Sequence, residues 1–284
     1  MGAVMIQTDL PAPKLGGGGP YIMGVLNVTP DSFSDGGKWE GAAAPRALAM
    51  LEAGADIIDV GGESTRPGAE PVVEGAEIAR IVPVIAAIRA ATSAPISIDT
   101  MKPAVARAAA EVGANLWNDV AALRQPGALE TAAALRAPVI LMHMLGEPRT
   151  MQADPRYDDV VGEVIAFLRE RVAAAQARGL TKIWVDPGIG FGKTLAHNLA
   201  LLSAVERIGA ETGKPVVIGA SRKSFIAKLD PGAEAGAGRL GGSIAAALLA
   251  AQQGAAIVRV HDVAATVQAL KLWKAAARAR ITPA

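Results

Sequence analysis

Short runs rich in Ile, Val and Leu recur along the chain between longer segments rich in Ala. Eight such runs read as strands, at residues 21–27, 56–60, 95–99, 115–118, 137–143, 182–186, 215–219 and 256–260. From Ile22 to Ile257 is 235 residues over seven intervals, a mean of about 34. That spacing matches a strand, a crossover helix and two loops. The intervening segments read as helices. Residues 103–111 begin with Pro103, suited to a first helical turn, and stop before Gly113. Segments 42–53, 160–178 and 243–253 stop in the same way at Gly54, Gly179 and Gly254. Eight β–α alternations in one chain predict a closed (β/α)8 barrel, with an open doubly wound sheet as the alternative.

Composition narrows the picture. Hydrophobic residues make up 51% and charged residues 19%, which excludes disorder. Alanine supplies 60 of the 284 residues and aromatic residues only ten, so the core must be built from many small aliphatic contacts. The formal net charge is +1, so no global positive field supports generic nucleic-acid binding. The absence of cysteine excludes disulfides, thiolate metal sites and a Cys nucleophile, and is compatible with a reducing, cytoplasmic setting. The longest purely apolar run, residues 244–251, falls far short of the roughly 20 residues that span a bilayer. Residues 1–20 have no basic start followed by an apolar stretch and read as a flexible leader rather than a secretory signal. Residues 21–284 read as one domain.

The strands end in polar residues. Asn27 closes the first, Asp99 the third, Asn118 and Asp119 the fourth, His143 the fifth and Asp186 the sixth. The seventh leads into Ser221-Arg222-Lys223-Ser224, and the eighth carries Arg259 and His261. In a parallel barrel all these ends share one mouth, where active sites sit. Side chains alternate along a strand, so Arg259 and His261 share a side, as do Ser97 and Asp99. A single acid can be a helix cap, as Asp99 ahead of Pro103 illustrates. Gathering so many polar groups is costly unless they bind something polar or one another.

Arg66, Arg222, Lys223, Arg259 and His261 give the mouth a cationic side suited to phosphate or diphosphate. Asp99 and Asp186 suit a ligand bearing several N–H donors, such as a heterocycle with a guanidine-like edge. The expected ligand is a polar heterocycle carrying phosphate.

Five motifs follow one another along the chain: MGVLNVTPDSFSDGG from Met23, GESTRPG from Gly62, DPGIGFGK from Asp186, SRKS from Ser221 and RVHD from Arg259. With these motifs the chain resembles the dihydropteroate synthases, a pterin-binding family inhibited by sulfonamides. The resemblance covers Tyr21 to about Trp273. It implies a TIM barrel that joins para-aminobenzoate to 6-hydroxymethyl-7,8-dihydropterin diphosphate. It implies that Asp99, Asn118, Asp186 and Lys223 hold the pterin, with Arg259 against the ring and Met142 lining the pocket. Asn27, Arg66, Arg259 and His261 would handle the diphosphate, with Mg²⁺ bridging it to Asn27. Phe33, Thr65, Pro67, Phe191, Lys223 and Ser224 would shape the aminobenzoate site, and the carboxylate of that substrate would meet Ser224 and the helix that follows. The loops after strands one and two would close over the substrates. Homodimerisation through helices near the C-terminal half is also implied.

No side chain reads as a covalent nucleophile. Ser64, Ser221 and Ser224 have no His beside them in sequence. The expected step is dissociative and SN1-like: diphosphate leaves the pterin methylene and the arylamine attacks. Asp99, Lys223, Arg259 and His261 are the expected catalytic set. A corrinoid-dependent methyl transfer on the same barrel and a non-catalytic pterin-binding paralogue are the alternatives. His143 and His197 read as structural, Phe191 as an exposed loop ring, residues 230–238 as a loop and residues 271–280 as a solvated helix.

Overall fold

The computed structural model describes residues 19–29, 39–65, 68–233 and 235–279. All eight expected strands are present: β1 Tyr21–Asn27, β2 Ile57–Gly61, β3 Ile96–Asp99, β4 Leu116–Asp119, β5 Val139–Met142, β6 Ile183–Asp186, β7 Val217–Ile218 and β8 Ile257–Val260. Every neighbouring pair is parallel, in the order β6-β5-β4-β3-β2-β1-β8-β7. A bridge between Val185 and Val216 joins the two ends, with Val185 N–H donating to Pro215 O at 3.0 Å. The sheet is therefore a (β/α)8 barrel. β7 is shorter than expected because Pro215 has no N–H for the ladder and pairing ends before Gly219.

Around the barrel run α1 Trp39–Glu52, α2 Glu74–Ala91, α3 Pro103–Glu111, α4 Ala128–Leu135 and α5 Val160–Ala177. They continue as α6 Leu195–Ser203, α7 Val205–Thr212, α8 Ser224–Leu229, α9 Leu240–Gln252 and α10 Val263–Ala279. The glycines expected to stop helices, Gly54, Gly113, Gly179 and Gly254, all have positive φ. Residues 271–279 form the exposed or half-buried last turns of α10, as expected, and Arg280 lies outside the described residues; the first half of α10 buries Val263, Thr266 and Leu270. The loop expected at 230–238 contains a 3-10 turn, Gly236–Arg239.

The alternation of side chains along each strand sorts the barrel into an outer and an inner face. Outward residues such as Ile58, Ile98, Leu141 and Val258 pack under the helices, where fully buried Ala47, Ala109, Ala132 and Ala250 let the helix backbones come close. Inward residues Tyr21, Met23, Ile57, Leu116, Ile140, Trp184, Val217 and Ile257 fill the lower barrel. One inward step further along the strands, the filling changes from apolar to polar. Asp59, Asn118, Asp186 and Arg259 stand two residues beyond Ile57, Leu116, Trp184 and Ile257. Strand periodicity alone therefore delivers these groups to one end of the barrel.

Candidate active site

Arg259 organises one side of the mouth. Its Nε donates to Asp59 Oδ2 at 2.6 Å and its Nη2 to Asp99 Oδ2 at 2.6 Å. Asn118 Nδ2 donates to the same Asp59 oxygen at 3.3 Å. β8, β2, β3 and β4 are thus tied together by side chains. Burial works against the charge of Arg259, but Asp59 and Asp99 hold its pKa above the usual arginine value. Burial pushes the Asp99 carboxyl up to about 7, against the pull of Arg259 and with help from the neighbouring acids Asp59, Glu77 and Asp119. The second oxygens, Asp59 Oδ1 and Asp99 Oδ1, are buried and have no hydrogen-bond partner. A buried carboxylate oxygen without a donor is costly, so the pair is poised for N–H donors from a ligand.

Asp186, Lys223 and Phe191 form the opposite side. Burial raises the Asp186 pKa, although the Gly188 N–H at 2.7 Å and the charges of Lys223, Arg259 and Lys193 oppose the shift. Burial lowers Lys223 to about 7, opposed by Asp186. The Lys223 Nζ stands 3.8 Å from the centre of the Phe191 ring, a cation–π contact. Met142 packs with Phe191, Val120, Met144 and Met151 in a small apolar cluster beside these charges.

Two glycines leave room between the polar groups. A Cβ at Gly61 would sit 3.6 Å from Asp99 Cβ and 3.8 Å from Asn27 Oδ1. A Cβ at Gly219 would sit 3.7 Å from Asp186 Oδ2 and 3.8 Å from Arg259 Cβ. Their missing side chains open the space that Asn27, Asp99, Asp186 and Arg259 flank.

His261 lies at the end of β8. Its backbone N–H donates to Ser221 Oγ at 3.2 Å, and its Nδ1 is 3.1 Å from the same oxygen. This contact brings together a Ser and a His that are distant in sequence. The Oγ that already accepts the His261 N–H serves to orient the imidazole. Arg222 departs from expectation. Its guanidinium is engaged by Asp262, and its N–H donates to Ser243 Oγ, so it is committed to the β7–β8 connections rather than available to a ligand.

Other expectations resolve individually. Asp99 does not cap α3, whose N-cap is Lys102. Asp119 instead holds the turn after β4, accepting from Ala121 and Leu123 N–H at 2.7 and 2.8 Å. His197 is structural, as expected, and forms a capping box with Thr194 at the start of α6. His143 is buried, and its pKa is pushed down to about 3 by burial and by Lys193. Phe191 is not an exposed ring but is 9% exposed, because its loop folds back onto the end of β5. Thr65 is half-buried in the connection after β2, and Ser224 is exposed at the first position of α8. Phe33, Arg66, Pro67, residues 1–18 of the leader and most of the loop after β1 lie outside the described residues. Sequence reasoning missed two residues, Asp59 and Lys193. An acid two residues beyond Ile57 in an otherwise apolar strand was the available signal for Asp59.

The Asn27 side chain offers one hard oxygen donor. No cluster of three or more His, Asp or Glu able to hold a metal occurs among the described residues. Mg²⁺ commonly takes most of its ligands from substrate phosphate and water. The donor set therefore fits an ion shared with a diphosphate rather than one caged by protein.

The profile of a family described as pterin binding enzyme matches residues 23–261. A dihydropteroate synthase of Haemophilus influenzae is 50% identical over 268 residues, covering 92% of this chain and 95% of that one. The chain belongs to the dihydropteroate synthase family. Among solved dihydropteroate synthases, one from Xanthomonas albilineans with 4-aminobenzoic acid has a TM-score of 0.87 and 51% identity, covering 94% of this chain and 95% of that one. One from Yersinia pestis with a sulfonamide drug complex has a TM-score of 0.87 and 45% identity, covering 92% and 95%. Membership of the dihydropteroate synthases sets aside the corrinoid methyltransferase alternative.

Proposed function

We propose that this dihydropteroate synthase joins para-aminobenzoate to 6-hydroxymethyl-7,8-dihydropterin diphosphate through the residues around Arg259, forming 7,8-dihydropteroate and diphosphate. The observation that carries the assignment of residues is Asp99 Oδ1, a buried carboxylate oxygen without a donor beside a fixed guanidinium. The N–H edge of a pterin supplies such donors. Asp99, Asn118, Asp186 and Lys223 hold the pterin, Met142 lines its pocket and Arg259 lies against the ring.

The bond from the methylene carbon to the diphosphate oxygen breaks, and both electrons leave with diphosphate. Positive charge spreads from the methylene into the ring, where the Asp99 and Asp186 carboxylates stabilise it. The lone pair of the arylamine then forms the new C–N bond, and the amine proton passes to solvent. Arg259 and His261, together with Arg66 and Asn27, hold the leaving diphosphate. When bound, Mg²⁺ supplies further neutralisation of that charge, with Asn27 as its protein ligand.

Phe191 and Lys223, with Phe33, Thr65, Pro67 and Ser224, shape the aminobenzoate site. The 4-aminobenzoic acid in the Xanthomonas relative supports this reading. The sulfonamide complex of the Yersinia relative supports competitive inhibition by sulfonamides at the same place. The loops after β1 and β2 close over both substrates. Residues 21–284 act as one cytoplasmic catalytic unit, a setting compatible with a cysteine-free chain. No helix among the described residues is long and apolar enough to cross a membrane.

The enzyme also forms a homodimer through α6, α8 and α9. Leu199, Leu229 and Leu249 are exposed on these helices, and α6 packs against both others.

Calorimetric titration with the pterin diphosphate tests the site assignment. Saturable heat is expected, weakened at least about tenfold by Asp186→Ala, since hydrogen bonds to charged groups contribute about 1.5–3 kcal/mol. Unchanged binding by that variant overturns the assignment of Asp186, and no heat with the parent overturns the pterin site.

A further inference from the structure

Lys193 is among the largest fully buried side chains in the molecule, at 1% exposure, and the reaction described above makes no use of it. Among the described residues it forms no ion pair. Its Nζ instead meets three neutral acceptors: Phe191 O at 2.9 Å, His143 Nδ1 at 3.0 Å and His143 O at 3.4 Å. Three acceptors match the three donors of an ammonium group. Burial pulls its pKa down to about 7, while Asp186 pulls it up. A lysine placed in this way is expensive to bury. Its two contacts to His143 pin the loop after β6 to the end of β5, and its contact to the Phe191 carbonyl ties that loop to itself.

The loop itself is built for that contact. A Cβ at Gly188 would lie 1.9 Å from His143 O, and one at Gly192 would lie 2.7 Å from Leu145 O. Only glycine lets the two backbones come so close, and both residues have positive φ. Asp186 does not depend on Lys193 for its position, because Gly188 N–H holds its Oδ1 and His143 N–H donates to its backbone oxygen. Phe191 is in direct contact with Lys193, and its own N–H donates to Gly188 O at 3.1 Å. Its carbonyl is fastened by Nζ, and its ring then lies under Lys223.

We propose that Lys193, through His143 and the Phe191 carbonyl, is the positioning residue that sets the Phe191 ring for the aminobenzoate substrate. The proposal rests on the reading of Phe191 as part of that substrate's site. His143 is then the neutral Nε2–H tautomer with Nδ1 accepting, and its buried position serves the same strut.

The test is steady-state kinetics of the full chain with both substrates varied, using Lys193→Met, His143→Leu, His143→Gln and Phe191→Ala. Lys193→Met keeps the stem and removes the donors. His143→Leu removes the acceptor, and His143→Gln restores one. The expected result is a rise of about tenfold or more in the KM for aminobenzoate for Lys193→Met and His143→Leu, a scale typical of small misplacements in a site. The KM for the pterin diphosphate and kcat should move by less than about threefold, and His143→Gln should stay near the parent. If Lys193→Met fails to fold, the two His143 variants carry the same comparison. An unchanged KM for aminobenzoate overturns the proposal, as does a Gln variant as impaired as the Leu variant. So does a parallel rise in both KM values that tracks a fall in Tm. Phe191→Ala separates the two readings. If it leaves the aminobenzoate KM unchanged, the assignment of Phe191 fails. If it raises that KM while Lys193→Met does not, only the role of Lys193 fails.

Discussion

Arg259 and Asp99 meet at 2.6 Å although 160 residues separate them in the chain. The same guanidinium holds Asp59, so one cation serves two buried acids and leaves one oxygen of each without a partner. The arrangement holds the two acids in place for a ligand while leaving each with acceptor capacity to spare. A preorganised set of this kind favours developing positive charge without reorganising at the moment of reaction.

Asp99→Asn keeps the shape of the side chain and removes its charge. Turnover is expected to fall by on the order of 10²–10³, with a smaller change in the KM for the pterin substrate. Steady-state kinetics decide the point. Unchanged turnover with only a raised KM makes Asp99 a binding residue alone.

The raised Asp99 pKa has a consequence for stability. The folded value is about 7, against about 3.9 for an unperturbed Asp. Between these values the native state holds a proton that the unfolded chain has released, so stability falls as pH rises through this window. The contribution is complete below about pH 4 and lost by about pH 7. Asp99→Asn cannot titrate. Urea unfolding should therefore show the variant gaining on the parent as pH increases from 4.5 to 7.5, by on the order of 2–4 kcal/mol. A difference that is flat with pH contradicts the raised pKa.

Asp59 keeps one unpartnered oxygen, Oδ1, and uses the other to hold its neighbours in the site. It orients Arg259 and Asn118. Asp59→Asn is expected to lower kcat/KM by on the order of 10², because small displacements of a positioned group carry penalties of that size. The loss should not add to that of Arg259→Lys, since both substitutions break one contact. Fully additive losses in a double-mutant cycle show that Asp59 acts independently of Arg259.

The exposed leucines on α6, α8 and α9 give the oligomer prediction. Leu249→Glu places a charge on the proposed apolar interface and should convert a dimer to a monomer in sedimentation velocity while the far-ultraviolet circular dichroism stays unchanged. A dimer that persists in Leu249→Glu and in Leu229→Glu moves the interface elsewhere.

The barrel was legible because its strands are short apolar runs at a regular interval, and periodicity survives in a single sequence. β1 and α3 fall where the pattern puts them. The convergence of Asp99, Asn118, Asp186 and Arg259 was legible for the same reason, since residues at corresponding places on successive strands must face one mouth. What escaped were choices of partner. Arg222 and Arg259 look alike in sequence, yet Arg222 is drawn to Asp262 three residues beyond Arg259, while Arg259 reaches across the barrel. Asp99 and Asp119 both end strands, and only their registers decide that Asp119 turns to its own loop and Asp99 to the interior. The buried side of Phe191 depends on how its loop folds over β5, which no local pattern encodes.

In the proposed reaction the gathered acids and bases release diphosphate from the pterin substrate only in the course of joining the pterin to the arylamine. A coupled assay for diphosphate release tests it most directly, with each substrate alone and both together. Sustained release is expected only when both are present, with a one-to-one yield of 7,8-dihydropteroate, and loss of both signals in Asp99→Asn. No turnover with both substrates, or equal release without para-aminobenzoate, would contradict it.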